Sequence, residues 1–569
     1  MTVTTASTRR QSRAVASHCS TSAFQRQEHA GACHVTGTTK AVIEARQHLA
    51  LETLTPSEHR KPVNVLGAMA ASLVLSVGTS GCAVGPDYVA PSTNLAPFHN
   101  RVGANAQHAT IPAPHLDTWW TGFNDPMLVT VVRRALTQNL DLAAAFARVQ
   151  QARAAAATAG AQLLPTIDLD ATGSTQHQSL LGPLGTLARA FPGYSRAQRE
   201  YNVGVAASWE IDLAGGLRRS AAAARDEALA AQAEQLGTRI TVAADAADAY
   251  LQIRGFQARL AVAQDQIDTD ARLLELVQVR RRAGAADDRE VAQAEALLKQ
   301  ARSTVPTLRT ALEAQLNRLD VLMGAQPGTY AQELAKPGAI PAIPSIGDND
   351  QPLDVLRRRP DIMAAERRLA ASNERIGAAI SDYYPKISLS GALGFDSISA
   401  NHLFTPRAFQ PVGTGALRWR LFDFGKVDAE VAQARGANAE ALALYRQTAL
   451  KAAEDVENSF MALSQTEARR QELQDEVASL TRARDLSERA YKAGAITLTD
   501  VLDADRQLLV ARDDLDSTRA DAARAAVSAF RALGGGWDLP ADPRVASGSS
   551  PTSSQIAAQA FSTGFLRKR

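Results

Sequence analysis

Cysteine and aromatic side chains are both scarce in this chain. Three of its 569 residues are cysteines, Cys19, Cys33 and Cys82, and Phe, Trp and Tyr together make up 5%. Because no cysteine follows Cys82, the rest of the chain has neither disulfides nor a thiolate metal site, and its stability must come from packing. The shortage of aromatic residues, combined with frequent alanine, predicts long helices that pack closely.

A charge excess, a long apolar run and a reactive motif are missing as well. The 61 basic and 59 acidic residues give a net charge of +2, which provides no global field to attract nucleic acid or a phospholipid surface. The sequence contains no run of about 18 apolar residues, so no transmembrane helix is predicted. The sequence contains no HExxH, Walker or G-x-S-x-G motif, and no histidine lies between Gly216 and Asp382 or between Lys426 and Trp537. We therefore expect no enzyme activity, no metal, no cofactor and no nucleic-acid partner.

An export signal ends at Cys82. Arg60 and Lys61 precede an apolar stretch, Val63 to Val77, and the small-residue sequence LSVGTSGC leads to the cysteine. This order of basic, apolar and small residues is typical of a secretory signal, so the chain is expected to be exported. Residues 1–59 are long for material ahead of a signal, and we interpret them as the result of a start codon assigned too early.

A cleavage site that ends in cysteine resembles the lipobox of bacterial lipoproteins. The resemblance predicts that residues 1–81 are removed and that Cys82 is acylated and becomes the first mature residue. Ordinary cleavage beside a coincidental cysteine is the alternative. Ala83 follows in place of the aspartate that signals inner-membrane retention, which favours sorting to the outer membrane.

Four segments alternate between apolar and small or polar residues, as β-strands do. The clearest is Tyr201 to Leu213, which alternates without exception. It is longer than the roughly 5 to 6 residues that are typical of strands in soluble proteins. Its length and alternation suit a tilted strand between lipid and a water-filled lumen. A soluble β-sandwich with the same pattern is the alternative. The others are Ile167 to Ala171, Ile387 to Phe395, and a fourth strand marked by Leu417, Trp419 and Leu421. Four strands cannot close a barrel, and an open edge cannot face hydrocarbon, so we expect three copies to supply twelve strands.

The chain carries an internal two-fold repeat. Trp209 and Gly284 correspond to Trp419 and Gly494, with the same separation in both halves. Each half is expected to contain a helix, a strand hairpin, a long helix, a turn and a return helix, the first helix running from Asp125 to about Gln162. Each long helix would have about 68 residues and reach roughly 100 Å, which suits a periplasmic duct. The apolar stripe of the second one, taken alone, would indicate a plain coiled-coil seam.

Several longer motifs resemble those of the outer-membrane factor (TolC-like) family, in particular its lipoprotein branch that serves resistance-nodulation-division efflux pumps. The motifs are CAVGPDYVAP at Cys82 to Pro91, WWTGFNDPML at Trp119 to Leu128, NLDLAAAFARVQQARA at Asn139 to Ala154, and the long segment from Arg357 to Phe395 that begins RRRPDIMAAERRLAA. The resemblance implies an α+β membrane protein: a trimeric twelve-stranded outer-membrane β-barrel, four strands per protomer, continued by a long periplasmic α-helical barrel.

The same resemblance implies a function and a set of partners. The chain would be the exit duct of a tripartite efflux pump, a passive conduit for drugs or other small molecules, assembled as a homotrimer with a periplasmic adaptor and an inner-membrane resistance-nodulation-division transporter. It would be anchored to outer-membrane lipid through Cys82, with no cofactor besides that covalent lipid. The alternatives are the channel of a type I secretion system, a coiled-coil adaptor, and a non-transporting structural lipoprotein.

These expectations divide the chain into five parts. They are a removed extension and signal (1–81), a lipidated linker (82–118), a first repeat (119–350), a second repeat (351–537), and a disordered tail (538–569) rich in Pro, Ser, Ala and Gly.

Candidate site residues cluster at the turns between long and return helices. Gly284 and Gly494 are the expected helix C-caps, and the resemblance implies that these tips form the pore aperture and an adaptor-docking surface. Asp500 and Asp503 stand at i and i+3, hence on one helix face. The segment TDVLDA from Thr499 matches the aperture segment of the family, whose acids ring the pore mouth; a plain solvated face is the alternative.

A latch that closes the resting aperture is also implied by the resemblance. Tyr491 matches a tyrosine that binds a neighbouring hairpin tip in the family, and the acidic acceptor maps to Glu290. The basic residue of the latch is Ile496 here, so we expect Arg281, or its neighbours Arg280 and Arg282, to supply that charge. The alternative is that Tyr491 merely packs at the helix end.

Overall fold

The computed structural model describes residues 83–92, 96–100, 114–189, 191, 193–346 and 357–538. Cys82, the extension before it and the tail after Asp538 lie outside these residues. The helices are α1 (Pro126–Gln138), α2 (Leu140–Ala161), α3 (Pro183–Ala188), α4 (Gly216–Arg282), α5 (Asp288–Leu322), α6 (Ala331–Leu334), α7 (Pro360–Ile380), α8 (Lys426–Lys492) and α9 (Leu498–Ala532). The strands are β1 (Thr166–His177), β2 (Ala197–Ile211), β3 (Lys386–Ser397) and β4 (Phe409–Arg418). Short 3₁₀ helices cover Leu116–Phe123, Ser381–Tyr383 and Ala400–His402.

The first helical segment is broken at Asn139. Asp125 caps α1 by accepting hydrogen bonds from the amides of Met127 and Leu128. Asn139 is extended, with φ −63° and ψ 132°, and its side chain accepts from the amide of Leu142 at 3.0 Å. One residue thus ends α1 and caps α2. The prediction of one continuous helix was wrong because an asparagine side chain can compete for backbone amides at this position.

The four strands form one antiparallel sheet in the order β1-β2-β3-β4. β2 contains the predicted strand from Tyr201 as far as Ile211 and ends before the predicted limit at Leu213. Gly204 of β2 lies opposite Gly394 of β3. The fourth strand ends earlier than predicted, at Arg418, which pairs with Lys386. In that register Trp419 would face Pro385, which has no amide hydrogen to donate. Trp419 and Leu421 therefore lie beyond the sheet.

Two very long helices leave the sheet, and each is followed by a shorter return helix. Both α4 and α8 have 67 residues, and both α5 and α9 have 35. At 1.5 Å per residue the long helices reach roughly 100 Å. Each starts directly after a glycine in the left-handed region, Gly215 at φ +81° and Gly425 at φ +86°. Among the helices of the described residues, none combines the length and the apolar character that a membrane-spanning helix needs.

The main core lies where helices from both halves meet. Trp119 is 1% exposed and stacks on Phe530 with ring centroids 5.5 Å apart. Alanines fill the contact between α4 and α9, where Ala243, Ala247 and Ala523 are all fully buried. These small side chains permit the close helix approach that the composition predicted. Further out, α2 packs on α4, α4 on α7, and α7 on α8, so α2 and α8 lie at the two edges of this helical layer.

Candidate functional site

The two hairpin tips have the same backbone geometry. Gly284 and Gly494 both have φ +74°, and a β-carbon added to either would meet nothing within 4 Å. Glycine is therefore needed there for its left-handed conformation rather than for space. At the first tip the amide of Ala285 donates to the carbonyl of Arg280 at 2.8 Å, and the second tip has the equivalent bond at 2.9 Å. This is the helix-ending motif predicted for both glycines.

The tips pack against each other within one chain. The cluster consists of Leu273 and Val277 of α4, Ala294 of α5, Tyr491 of α8, and Leu498 and Val501 of α9. Tyr491 is 1% exposed and is the largest side chain of the cluster. The second hairpin is thus fixed to the first by apolar burial around a single tyrosine.

The structure brings together the two residues predicted to form the latch. The Tyr491 hydroxyl donates to Oε2 of Glu290, at 3.2 Å, from α8 to the first turn of α5. Burial and the negative charge of Glu290 raise the pKa of the Tyr491 phenol. The phenol therefore keeps its proton and stays a donor at neutral pH. The acceptor belongs to the other tip of the same chain.

The cation beside Tyr491 is Arg280, one of the three arginines expected there, and Arg281 does not fill this position. Arg280 donates from Nη1 to the carbonyl of Tyr491 at 2.8 Å, and its guanidinium carbon lies 4.3 Å from the centroid of the tyrosine ring. Arg281 instead forms an exposed ion pair with Asp288, and Arg282 donates to a carbonyl of its own helix. Consecutive residues point about 100° apart around a helix, so one of three adjacent arginines reaches the tyrosine.

Asp500 and Asp503 are exposed at the start of α9, as the aperture hypothesis requires. Asp500 also has a structural role, because its Oδ2 accepts from the amide of Thr497 at 3.0 Å and from the Thr497 hydroxyl at 2.7 Å. This is a capping box, whose signature T-x-x-D was readable in the sequence. Oδ2 of Asp503 accepts from the Gln507 amide at 2.7 Å.

The segment that follows Cys82 is held by a buried arginine that sequence reasoning missed. Arg219, near the start of α4, donates to the carbonyl of Val84 at 3.2 Å and to Asp87 at 2.9 Å, and it contacts both carboxylate oxygens of Glu374 on α7 at 3.0 and 3.1 Å. The amide of Val84 donates to the carbonyl of Ala214 at 3.0 Å. The linker is thus fixed where β2 passes into α4.

Trp209 and Trp419 make matching contacts at the end of the sheet nearest the long helices. Each indole N–H donates at 3.0 Å to a backbone carbonyl just before a hairpin, that of Leu163 for Trp209 and that of Tyr383 for Trp419. The residues are 39% and 54% exposed. Neither is packed in the core of its own chain.

Comparison with known proteins identifies the family. The sequence profile described as Outer membrane efflux protein matches residues 131–325 and 352–535. The pyoverdine export outer membrane protein OpmQ of Pseudomonas aeruginosa is 32% identical over 447 residues, 78% of this chain and 93% of that protein. Nodulation protein T of Rhizobium leguminosarum bv. trifolii is 31% identical over 441 residues, 77% and 90% respectively. The solved structure of the outer-membrane channel OprN superimposes with a TM-score of 0.73 at 30% identity, over 80% of this chain and 100% of that one. These matches span both halves and confirm the resemblance seen in the sequence: the chain belongs to the outer membrane efflux protein family.

Proposed function

We propose that the protein is the outer-membrane exit duct of a tripartite efflux pump, a passive conduit for small molecules driven by an inner-membrane transporter through a periplasmic adaptor. The observation that carries the proposal is the junction of an open four-stranded sheet with two 67-residue helices in one chain. The sheet is suited to a position in the outer membrane, and the long helices are suited to crossing the periplasm. Family membership supports this assignment, as does the coverage of 93% of an export protein of the outer membrane.

A homotrimer is proposed because the sheet has unpaired edges. Among the residues that the structure describes, β1 and β4 each have only one partner strand. Leu169 on β1 and Leu417 on β4 are 74% and 67% exposed. An open edge cannot face hydrocarbon, whereas three sheets joined edge to edge would close a twelve-stranded barrel. The edge helices support the same assembly, because Phe146 of α2 and Leu450 of α8 are 57% and 64% exposed.

The equal helix lengths in the two halves support an origin of the chain by internal duplication.

Trimer formation and conduction are tested together on the purified full chain. We expect a particle of three chains in detergent, and ion conduction when it is inserted in a planar lipid bilayer. A monomer, or a trimer that inserts without conducting, would exclude the exit duct and favour a structural lipoprotein.

Cys82 is proposed as the acylated first residue of the mature protein. Mass spectrometry of protein isolated from membranes is expected to find the mature chain starting at Cys82 with covalent lipid. An unmodified cysteine or another start would contradict this. Because Arg219 holds the linker independently of any lipid, we expect Cys82→Ala to reduce localisation or assembly more than pore formation; complete loss of trimers would be the contrary result.

Asp500 and Asp503 are proposed to make the resting mouth selective for cations. Three copies would place six carboxylates around a narrow opening, where screening is incomplete. Single-channel recordings of Asp500→Asn with Asp503→Asn are expected to show reduced cation selectivity. Asparagine keeps an acceptor for the Thr497 cap, so the helix start is preserved. Asp265→Asn with Asp268→Asn removes an exposed i, i+3 pair from α4 and is the matched control. If the two double mutants behave alike, Asp500 and Asp503 belong to a solvated face.

A further inference from the structure

Two carboxyl groups lie inside the packed helices close to the hairpin tips. Asp270 of α4 is 1% exposed and Asp505 of α9 is 2% exposed. Both stand in rows of buried residues at 3–4 spacing, with Leu273 following Asp270, and with Val501 and Leu508 flanking Asp505. Such positions normally take apolar residues, since a buried carboxylate costs free energy unless it is paired or protonated.

One guanidinium is hydrogen-bonded to Asp505 and lies near Asp270. Arg484 of α8 donates from Nε to Oδ1 of Asp505 at 2.9 Å, and its Nη1 lies 2.9 Å from the carboxylate of Glu488. Oδ1 of Asp270 accepts from the Gln266 amide at 2.7 Å. The Oδ2 atoms of Asp270 and Asp505 both lack a hydrogen-bond partner among the residues that the structure describes. Two buried carboxylate oxygens without a donor form a site where a proton can bind.

The surroundings of the pair come from four helices. Asp270 interacts with Asp505 and Arg484, and Asp505 interacts with Arg484 and Glu488 of α8 and with Arg512 of its own helix. The α5 residue buried in the adjoining tip cluster is Ala294, which carries no charge. Burial is the largest influence on Asp270 and raises its pKa to about 6. The negative charge of Asp505 also raises this pKa, whereas the hydrogen bond from Gln266 lowers it.

The direction of the pH effect follows from this raised pKa. A carboxyl whose pKa is raised by packing stabilises the packed state fully below its unfolded pKa of about 4, and this contribution is lost as the pH rises through the raised value. The contribution of Asp270 to the contact between α4 and α9 is therefore largest in acid and is lost as the pH rises through about 6.

We propose that Asp270 and Asp505 form a proton-operated contact between the two hairpins. With one proton taken up from solvent, Asp270 is neutral and no longer repels the nearby Asp505 charge, and the hairpins hold together. Loss of that proton leaves two buried negative charges that share Arg484, and the contact loosens. The device acts within a single chain, so it does not depend on the exit-duct proposal.

The test measures the separation of the hairpins directly. Spin labels are attached to Arg272→Cys and Arg506→Cys, two exposed positions on α4 and α9, in the full chain carrying Cys19→Ala, Cys33→Ala and Cys82→Ala. Their distance distribution is recorded by double electron–electron resonance across the range in which Asp270 titrates. We expect it to broaden or shift to longer distances as the pH rises, with a midpoint near pH 6. Asp270→Asn, a neutral analogue of the protonated acid, is expected to keep the low-pH distribution throughout.

Two further variants separate the switch from general effects of substitution. Asp268→Asn removes an exposed acid from the same helix and is expected to behave as the unsubstituted protein does. Asp505→Asn removes a charge that raises the pKa of Asp270 and leaves Arg484 free to pair with it, so the midpoint should move to lower pH. A distribution that is independent of pH in the unsubstituted protein, or the same transition in Asp270→Asn, would overturn the proposal. If Asp270→Asn does not fold, an unshifted midpoint in Asp505→Asn would overturn it equally.

Discussion

Replacing Arg219 with methionine is expected to destabilise the protein strongly. The Arg219 side chain is 9% exposed, and Glu374, its partner on α7, is 13% exposed. Methionine would fill much of the same volume but would leave the Glu374 carboxylate buried without a counter-charge. Removing one partner of such a pair costs about 3 to 5 kcal/mol. The linker would also lose its bonds from Arg219 to Val84 and Asp87.

The adjacent arginine provides a matched control for this prediction. Arg218 pairs with Asp212, but its side chain is 40% exposed, and Asp212 also accepts from the backbone amides of Leu217 and Arg218. Arg218→Met should therefore cost about 1 kcal/mol or less. The measurement is the unfolding temperature of the purified protein. Equal shifts for the two variants would show that Arg219 is not a special anchor for the linker.

Tyr491→Phe and Glu290→Gln are each expected to raise the basal conductance of the resting channel. Each removes or weakens the hydrogen bond between the two tips, worth about 1 kcal/mol net. In the proposed homotrimer the three protomers would together lose roughly 3 kcal/mol, which shifts a two-state gate by about a hundredfold. Because both substitutions act on one bond, the double variant should add little to the larger single effect.

The arginines beside the latch decide whether the contact is specific. Arg280→Met removes the guanidinium over the Tyr491 ring and should also raise conductance, whereas Arg281→Met breaks an exposed pair with Asp288 and should not. Planar-bilayer recordings of all four single variants measure this. If Tyr491→Phe and Glu290→Gln both conduct like the unsubstituted channel, Tyr491 merely packs at the helix end and another contact closes the mouth.

Features set by local chemistry could be predicted from the sequence. Gly284 and Gly494 marked the ends of the long helices because both positions require a left-handed backbone. The alternation around Trp209 gave β2 because side chains on a strand change face at every residue. The family motifs located the candidate tips, and they paired Tyr491 with Glu290 although the two residues are far apart in the chain.

Features set by distant partners could not be predicted. The end of β4 depends on Pro385, which directly precedes the neighbouring strand. The choice of Arg280 over Arg281 depends on the rotation of α4 against α8. Arg219 meets Asp87 and Glu374 only after three separate segments have packed. Charge pairs of this kind leave no periodic signal, although an acid such as Asp505 within an apolar row was a readable irregularity.

The distribution of the five tryptophans gives the protein an intrinsic optical label. Trp119, Trp120 and Trp537 are at most 6% exposed, while Trp209 and Trp419 are 39% and 54% exposed and lie together at one end of the sheet. Emission from the buried indoles reports the state of the core where the two halves meet. Emission from the other two reports the medium around the rim of the sheet, so a quencher carried on lipid acyl chains would dim the second population and leave the first bright. Insertion and core integrity can thus be followed separately in one unlabelled sample.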